Sequence, residues 1–226
     1  MRWNWTQPDW PNFRFVSAAV EALERRFLLS SGEILGAVRH VTGDERDRLR
    51  IELLSEEAMR TSAIEGELLD RGSVQSSLRR QFGLSSDDAP SKPREQGVAE
   101  MMVDVYSTYA APLTHDTLSR WHGMLLAHDR GLETIGAYRR HADAMQIVSG
   151  RIDRPTVHFE APPSAQVQGE MDVFVDWFNQ TAPDGPTPLP ALTRAALGHL
   201  WFESIHPFED GNGRLGRALA EKSLAQ

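Results

Sequence analysis

The chain has 226 residues, 40% hydrophobic and 25% charged, which is ordinary for a soluble globular protein with ample length for a core. Its formal net charge of −8 argues against a general nucleic-acid binder, and its zero cysteines exclude disulfides and thiolate metal sites. No apolar run approaches the roughly 18 residues that span a bilayer, and the first residues lack the features of a signal peptide, so we expect a cytoplasmic location.

The first fifteen residues are rich in aromatic residues and proline, and they predict an irregular arm rather than a helix. The aromatic residues are Trp3, Trp5, Trp10, Phe13 and Phe15. A stacking surface for a partner or for nucleic acid is the alternative, but the basic residues that it would need are limited to Arg2 and Arg14. We therefore expect the aromatic residues to pack against the body of the protein.

Apolar residues recur at helical spacing through most of the chain and predict a mainly α-helical fold. The predicted helices cover residues 16–29, 34–38, 44–64, 73–82, 94–109, 114–127, 167–179 and 191–205, and a last helix opens near Gly213. Gly32 is expected to interrupt the first helical pattern. A polar, proline-containing stretch over 83–93 predicts the boundary between an N-terminal helical region, residues 1–90, and a core, residues 91–226.

The strand signal of the sequence falls within residues 135–163. Two β-prone runs, 145–148 and 156–159, flank a glycine-bearing turn and predict a β-hairpin. The pattern alone does not separate an ordinary surface hairpin from a functional one.

The densest group of chemically functional residues lies near the end of the chain. It is the run His206-Pro207-Phe208-Glu209-Asp210-Gly211-Asn212-Gly213-Arg214-Leu215-Gly216-Arg217. Gly211 and Gly213 permit a tight turn whose backbone N–H groups converge on an anion, and the helix that follows would direct its positive end to the same point. Arg214 and Arg217 lie three residues apart on that helix, where both can bind phosphate oxygens.

Two further residues of this run suit phosphate chemistry. Asp210 offers the oxygen ligand that Mg²⁺ prefers beside phosphates, and His206 has the side chain best suited to act as a general base at neutral pH. A plain helix–loop–helix corner is the alternative, with Asp210 and Asn212 as turn and capping residues and the arginines solvated. The run therefore predicts a site for Mg²⁺ and a nucleoside polyphosphate, with a base beside it.

The run from His206 to Arg217 resembles the H-P-F-x-[D/E]-G-N-G-R-x-x-R signature of the Fic family at every fixed position. The resemblance implies a Fic-type helical bundle with one small β-hairpin. It also implies an adenylyltransferase that moves AMP from ATP to a Ser, Thr or Tyr hydroxyl of a target protein, with His206 as the base and Asp210 holding Mg²⁺. The residues that it assigns to the ATP phosphates are Gly211, Asn212, Gly213, Arg214 and Arg217.

A second motif, Thr61-Ser62-Ala63-Ile64-Glu65-Gly66, lies at the end of the helix predicted over 44–64. Gly66 suits the position after a helix end, and Glu65 lies at the unfavourable negative end of the helix dipole, so a compensating partner is one reading and a solvated glutamate is the other. The motif resembles the inhibitory helix of Fic proteins, [S/T]-x-x-x-E-[G/N], with Thr61, Glu65 and Gly66 at its fixed positions. The resemblance implies that Glu65 pairs with Arg217 and restrains ATP binding, and in some relatives the same glutamate supports removal of AMP.

The predicted hairpin also resembles a Fic element, the flap. The residues that carry the resemblance are Gly136-Ala137-Tyr138-Arg139, Ile147-Val148-Ser149-Gly150 and Val157-His158-Phe159-Glu160, followed by Pro162-Pro163. The resemblance implies that Ile147, Val148 and Ser149 pair with the backbone of the target protein by strand addition.

The partner implied is a target protein with a hydroxyl side chain, while self-modification and a homodimer stay open and neither a membrane nor nucleic acid is expected. Fic cores continue beyond the position of Gln226, so we expect a truncated C-terminal part that lacks residues of the adenine pocket. The alternatives are a Fic-like enzyme that transfers another group, a regulatory or toxin–antitoxin module that only senses nucleotide, and a metal-dependent hydrolase.

Overall fold

The computed structural model describes residues 3–84, 92–151 and 154–226, and over these residues it is a helical bundle with one two-stranded sheet. After a single 3-10 turn, Asn4–Thr6, the elements are α1 Ser17–Val38, α2 Gly43–Ile64, α3 Arg71–Gln81, α4 Pro93–Ser107, α5 His115–Leu126, β1 Gln146–Arg151, β2 Arg154–Glu160, α6 Ser164–Gln180, α7 Ala191–Ile205 and α8 Asn212–Ala225. The predicted class, mainly α with one small β-hairpin, is confirmed. None of the described helices is long and apolar enough to cross a membrane.

The core lies around α7 and α8, which pack against each other and against α4, α5 and α6. Its buried side chains also come from α2 and α3, because Leu54 and Leu78 belong to the same apolar cluster as Trp121, Phe202 and Leu215. Burying each such side chain contributes about 1.5–3 kcal/mol. The predicted linker, residues 83–93, lies outside the described residues over 85–91, and the division of the chain at residue 90 stays a prediction.

The first helix is longer than the sequence pattern predicts. The interruption expected at Gly32 is wrong, because α1 runs without a break from Ser17 to Val38. A glycine inside a helix costs only about 0.5–1 kcal/mol relative to alanine, which is too little to end a helix that tertiary contacts hold. One such contact is the buried Glu24, whose carboxylate accepts hydrogen bonds from the N–H groups of Leu192 and Thr193 and so caps the first turn of α7.

The aromatic arm packs mainly as expected. Trp3 contacts the ring of Phe159 in β2 at a centroid distance of 5.6 Å, and Trp10 packs edge-on against Trp201 of α7 at 6.1 Å. Phe15 differs, because it remains 44% exposed at the point where the arm leads into α1. The arm therefore lies across α7 and the base of the hairpin.

Two capping motifs determine where α2 begins and ends. At its start, Thr42 and Glu45 form a reciprocal capping box. At its end, the N–H of Gly66 donates to Ala63 O at 3.0 Å and that of Glu67 donates to Ser62 O at 2.9 Å, which is the Schellman pattern. Gly66 adopts the left-handed conformation that this pattern requires, with φ +78°, so its predicted place after the helix end is confirmed.

Candidate active site

His206 lies at the C-terminal end of α7 in a strained backbone conformation. Its φ of 50° and ψ of 61° are left-handed, and it is the single non-glycine residue with positive φ in the part of the chain that the structure describes. Burial lowers the pKa of its imidazole below the usual value, which keeps the ring neutral at pH 7. A neutral imidazole can accept a proton, so the position and protonation state of His206 suit a general base.

The loop after His206 ends at the N-terminus of α8. Gly211 takes the N-cap position with φ +75°, and the first helical hydrogen bond runs from Leu215 N–H to Gly211 O. The three preceding N–H groups, those of residues 212–214, therefore lie at the positive end of the helix without an intrahelical partner. The side-chain amide of Asn212 bonds both N–H and C=O of Phe208, at 2.9 and 2.8 Å, so this side chain shapes the loop and is already occupied.

Asp210 is the acidic residue nearest to this helix end in sequence. Its side chain is 57% exposed, one oxygen accepts from Gly211 N–H at 2.6 Å, and the other lies 4.0 Å from Nη2 of Arg214. The described residues hold no group of three or more His, Cys, Asp or Glu side chains that could form a metal site by themselves. Mg²⁺ beside phosphates needs only one or two carboxylates, with phosphate oxygens and waters completing its shell, so Asp210 fits Mg²⁺ only together with a polyphosphate.

The contact expected between Glu65 and Arg217 is present. Oε1 of Glu65 lies 2.6 Å from Nη2 of Arg217, whose Nε donates to Thr61 Oγ1 at 2.7 Å. The same Glu65 oxygen lies so close to Gly213 that a Cβ added there would meet it at 2.1 Å. The carboxylate therefore lies against the N-terminus of α8, where the helix dipole stabilises an anion and where glycine leaves the room for it.

A second carboxylate of the same turn binds the other arginine of the run. Glu67 Oε2 lies 2.8 Å from Nη1 of Arg214, whose side chain is only 1% exposed. No pattern in the sequence predicts this pair. Glu67 lies two residues after the C-cap of α2. The direction of its side chain depends on the turn at Gly66 and on the packing of α2 near α8, and residue spacing predicts neither.

His122 of α5 is another residue beside the loop that no sequence pattern predicts. It is fully buried, its ring stacks on Phe208 at a centroid distance of 4.2 Å, and its Nδ1 accepts from Gly136 N–H at 2.8 Å. Burial lowers its pKa to about 4, so the ring is neutral at pH 7 and carries its proton on Nε2. A histidine among the apolar residues of a helix gives no sequence signal of the loop that it supports.

The predicted flap residues lie in β1, which pairs antiparallel with β2. Ile147 and Val148 are 47% and 51% exposed and lie on either side of a register irregularity, and Ser149 Oγ is hydrogen-bonded to Nε2 of His158 at 2.6 Å. In the described residues each strand has only one partner strand, so the outer edge of β1 keeps backbone groups that a further strand can pair with.

The fold and this arrangement define a class of protein: a helical protein in which a partly buried histidine ends one helix and two arginines lie in the first turns of the next, across a short loop. Residues 112–224 match the family model described as Fic/DOC family, and the chain belongs to that family. The suspected relationship to Fic proteins is thereby confirmed. Residues 3–84 match a second model, described as a domain of unknown function, DUF4172.

Individual relatives agree with the family. The protein adenylyltransferase Fic of Nematostella vectensis is 27% identical over 168 residues, a stretch that covers 73% of this chain and 36% of the relative. This chain therefore spans little more than a third of that relative's length. A Fic family protein from Desulfovibrio desulfuricans superposes with a TM-score of 0.58 at 25% identity, over 95% of this chain and 59% of the other. A Fic domain containing signaling protein from Bacteroides thetaiotaomicron gives 0.64 at 20% identity, over 89% and 72%, which shows the fold.

Proposed function

We propose that this protein is a restrained protein adenylyltransferase, which moves AMP from ATP to a Ser, Thr or Tyr hydroxyl of a target protein. The observation that carries the proposal is the grouping of four residues: Arg214 and Arg217 lie in the first turns of α8, Asp210 lies 4.0 Å from Arg214, and His206 is close enough to Asp210 for that carboxylate to affect its pKa. The name of the Nematostella relative, protein adenylyltransferase, supports the choice of AMP among the groups that the site could transfer.

In the proposed reaction the polyphosphate lies on the N–H groups of residues 212–214, and Arg214 and Arg217 neutralise its β- and γ-phosphates. Asp210 is the carboxylate for Mg²⁺, which when bound supplies further neutralisation of phosphate charge. His206 takes the proton of the target hydroxyl. The hydroxyl oxygen forms a bond to the α-phosphorus while the bond from that phosphorus to the bridging oxygen breaks, and pyrophosphate leaves.

The restraint is proposed to come from Glu65. Its carboxylate binds Arg217 and lies against Gly213, so it takes both a cationic partner and the place at the helix end that phosphate oxygens need. ATP and the Glu65 carboxylate then compete for one site. Removing the carboxylate at residue 65 is therefore expected to permit productive ATP binding.

Labelling with ATP tests both parts of the proposal. Wild type, Glu65→Gly and Glu65→Gly/His206→Ala are incubated with Mg²⁺ and with ATP labelled at either the α- or the γ-phosphate, and label on protein is measured. We expect α-label to accumulate on Glu65→Gly above wild type, because self-modification then proceeds, and to fall by about 10²–10⁴-fold without His206. No variant should take up γ-label.

Each other outcome points to a stated alternative. Equal labelling of wild type and Glu65→Gly contradicts the restraint, and γ-label on protein contradicts adenylyl transfer in favour of phosphorylation. Nucleotide binding without turnover in Glu65→Gly favours a sensing module. Release of AMP from pre-labelled protein, faster for wild type than for Glu65→Gly, identifies removal of AMP as a second reaction of the same site.

A further inference from the structure

Arg139 is a fully buried cation that the proposed chemistry does not use. Its side chain is 1% exposed, and burial lowers its pKa to about 10, so it is still charged at neutral pH. The arginines of the phosphate site have carboxylate partners, but the hydrogen-bond partners of Arg139 in the described residues are all uncharged oxygens. A buried charge of this kind is retained only if its donors are well satisfied.

The oxygens that satisfy Arg139 belong to two separate parts of the chain. Nε donates to His206 O at 2.8 Å, and Nη2 donates to Ile205 O at 3.3 Å. On the other side Nη1 donates to Ser164 Oγ at 2.9 Å, and Nη2 also donates to Pro162 O. One guanidinium thus joins the end of α7 to Pro162, which lies between β2 and α6, and to Ser164, the first residue of α6.

The end of α7 is a place where such a cation has a physical effect. The last carbonyls of a helix lack intrahelical partners and lie at its negative end, so a buried guanidinium satisfies and stabilises them. His206 is held in a left-handed conformation that is unfavourable for a residue with a Cβ and persists only when its surroundings impose it. Arg139 imposes it from one side through His206 O, and its own backbone N–H donates to Pro207 O at 2.9 Å.

We propose that Arg139 is a positioning residue for the transfer reaction. It holds the backbone of His206 in the left-handed conformation and links it to Pro162 and Ser164, at the foot of the hairpin whose outer edge is open for pairing with a target strand. The base and the acceptor strand thereby keep a fixed separation. This proposal rests on the proposed function, because it assigns His206 the role of the base.

The chain offers a matched control in Arg194. This arginine is equally buried, and burial lowers its pKa to about 10 as well. Its guanidinium donates to Phe178 O at 2.8 Å and to Ser223 Oγ at 3.0 Å, and within the described residues none of its hydrogen-bond partners lies in the loop from His206 to Gly211. A lysine at either position keeps the charge, but its single ammonium group cannot reproduce the several N–H donors of a guanidinium, which point in different directions.

The kinetic test is made in the Glu65→Gly protein with α-labelled ATP, with thermal unfolding measured alongside. Arg139→Lys is expected to lower the kcat of AMP incorporation by about tenfold or more, because small displacements of a reacting group are costly, and to leave the KM for ATP nearly unchanged. Arg194→Lys is expected to lower the thermal midpoint to a similar extent and to keep kcat. Equal kcat losses in the two variants would overturn the proposal, because they indicate a general effect on stability.

A second readout is independent of activity. The N–H of His206 donates to Phe202 O at 2.9 Å, so its hydrogen exchange without nucleotide reports on this backbone turn. Arg139→Lys is expected to speed this exchange and Arg194→Lys to leave it unchanged. Unchanged exchange in Arg139→Lys overturns the proposal whatever the activity. If Arg139→Lys speeds exchange but the Glu65→Gly protein transfers no AMP, the result contradicts only the proposed function.

If Arg139→Lys fails to fold, Ser164→Ala replaces it. This change removes one acceptor of Nη1 and leaves the guanidinium in place. It is expected to lower AMP incorporation about fivefold, the equivalent of one hydrogen bond, and to speed exchange at His206. Wild-type values for both would overturn the proposal.

Discussion

Glu67 and Arg214 form an ion pair that differs from the surface pairs elsewhere in the protein. Arg214 is 1% exposed and Glu67 has 21% of its side chain exposed, so solvent screens this pair less than it screens the pair of Glu52 with Arg71 on the open face of α2. Together with Glu65, Glu67 places a carboxylate on each arginine of the proposed phosphate site. In the proposed reaction both carboxylates must release or share their arginines with phosphate.

Glu67→Gln is therefore expected to raise AMP incorporation above wild type, by about fivefold, because it frees Arg214 at the cost of one charge-assisted contact. The effect should be smaller than that of Glu65→Gly, since Glu65 still covers Gly213, and the double variant should exceed either single one. Incorporation of α-label measures all three. Glu52→Gln is the control and should match wild type, while a loss of activity in Glu67→Gln would show that Glu67 orients Arg214 for phosphate instead of restraining it.

Between individual residues, the sequence predicts the contacts that belong to a known motif. It does not predict the contacts that arise from tertiary packing. The resemblance of Thr61–Gly66 and of His206–Arg217 to Fic motifs implied the contact of Glu65 with Arg217, which is present. The pairing of Glu67 and the stacking of His122 on Phe208 depend on how α2 and α5 meet the loop before α8. No local pattern carries that information.

Among the elements, the end of α2 determines where both carboxylates point. Gly66 adopts φ +78° in that turn, and Gly83 adopts φ +68° in the corresponding turn after α3. A Cβ added at either glycine would meet nothing within 4 Å, so alanine at each position introduces backbone strain without a clash. Gly83 lies outside the segment that carries Glu65 and Glu67, so the two glycines form a matched pair.

Gly66→Ala and Gly83→Ala are each expected to lower the free energy of unfolding by about 1–2 kcal/mol, the cost of a left-handed conformation for a residue with a Cβ. Only Gly66→Ala should also raise incorporation of α-label, because relaxation of that turn displaces Glu65 and Glu67 from their arginines. Chemical denaturation and labelling are measured on the same preparations. Wild-type labelling by Gly66→Ala would mean that the turn does not maintain the restraint.

The elements also show which local signals are dependable. The glycine after α2 was predicted correctly because only a residue without a Cβ fits that turn at little cost, whereas Gly32 did not interrupt α1. A glycine that ends a helix and one inside a helix look alike in sequence. Here the difference comes from tertiary contacts, such as the buried Glu24 at the start of α7.

For the molecule as a whole, one apolar cluster joins the parts that the sequence divides at residue 90. Leu54 and Leu78 from the first part lie in it with Trp121 and Phe202 from the second. The described elements on both sides of that boundary are therefore expected to unfold together. The buried His122 lies beside this cluster on α5. Its ring therefore gains a proton at mildly acidic pH only when the whole protein unfolds.

The pH dependence of stability follows from His122. Its pKa is about 4 in the folded protein, because burial disfavours the charged ring, and about 6.5 in an unfolded chain. Between these values the unfolded state binds a proton that the folded state does not, so stability is complete above about pH 6.5 and falls as the pH drops toward 4, by at most roughly 3 kcal/mol.

Urea unfolding at intervals from pH 7 to pH 4 should show this loss in wild type and a weaker one in His122→Gln, whose amide oxygen can still accept from Gly136. His40→Gln, at an exposed position after α1, is the control and should follow wild type. Parallel curves for wild type and His122→Gln would show that His122 does not govern the acid limb, and the loss would then belong to His206, whose pKa burial also lowers, or to carboxylates protonated in the same range.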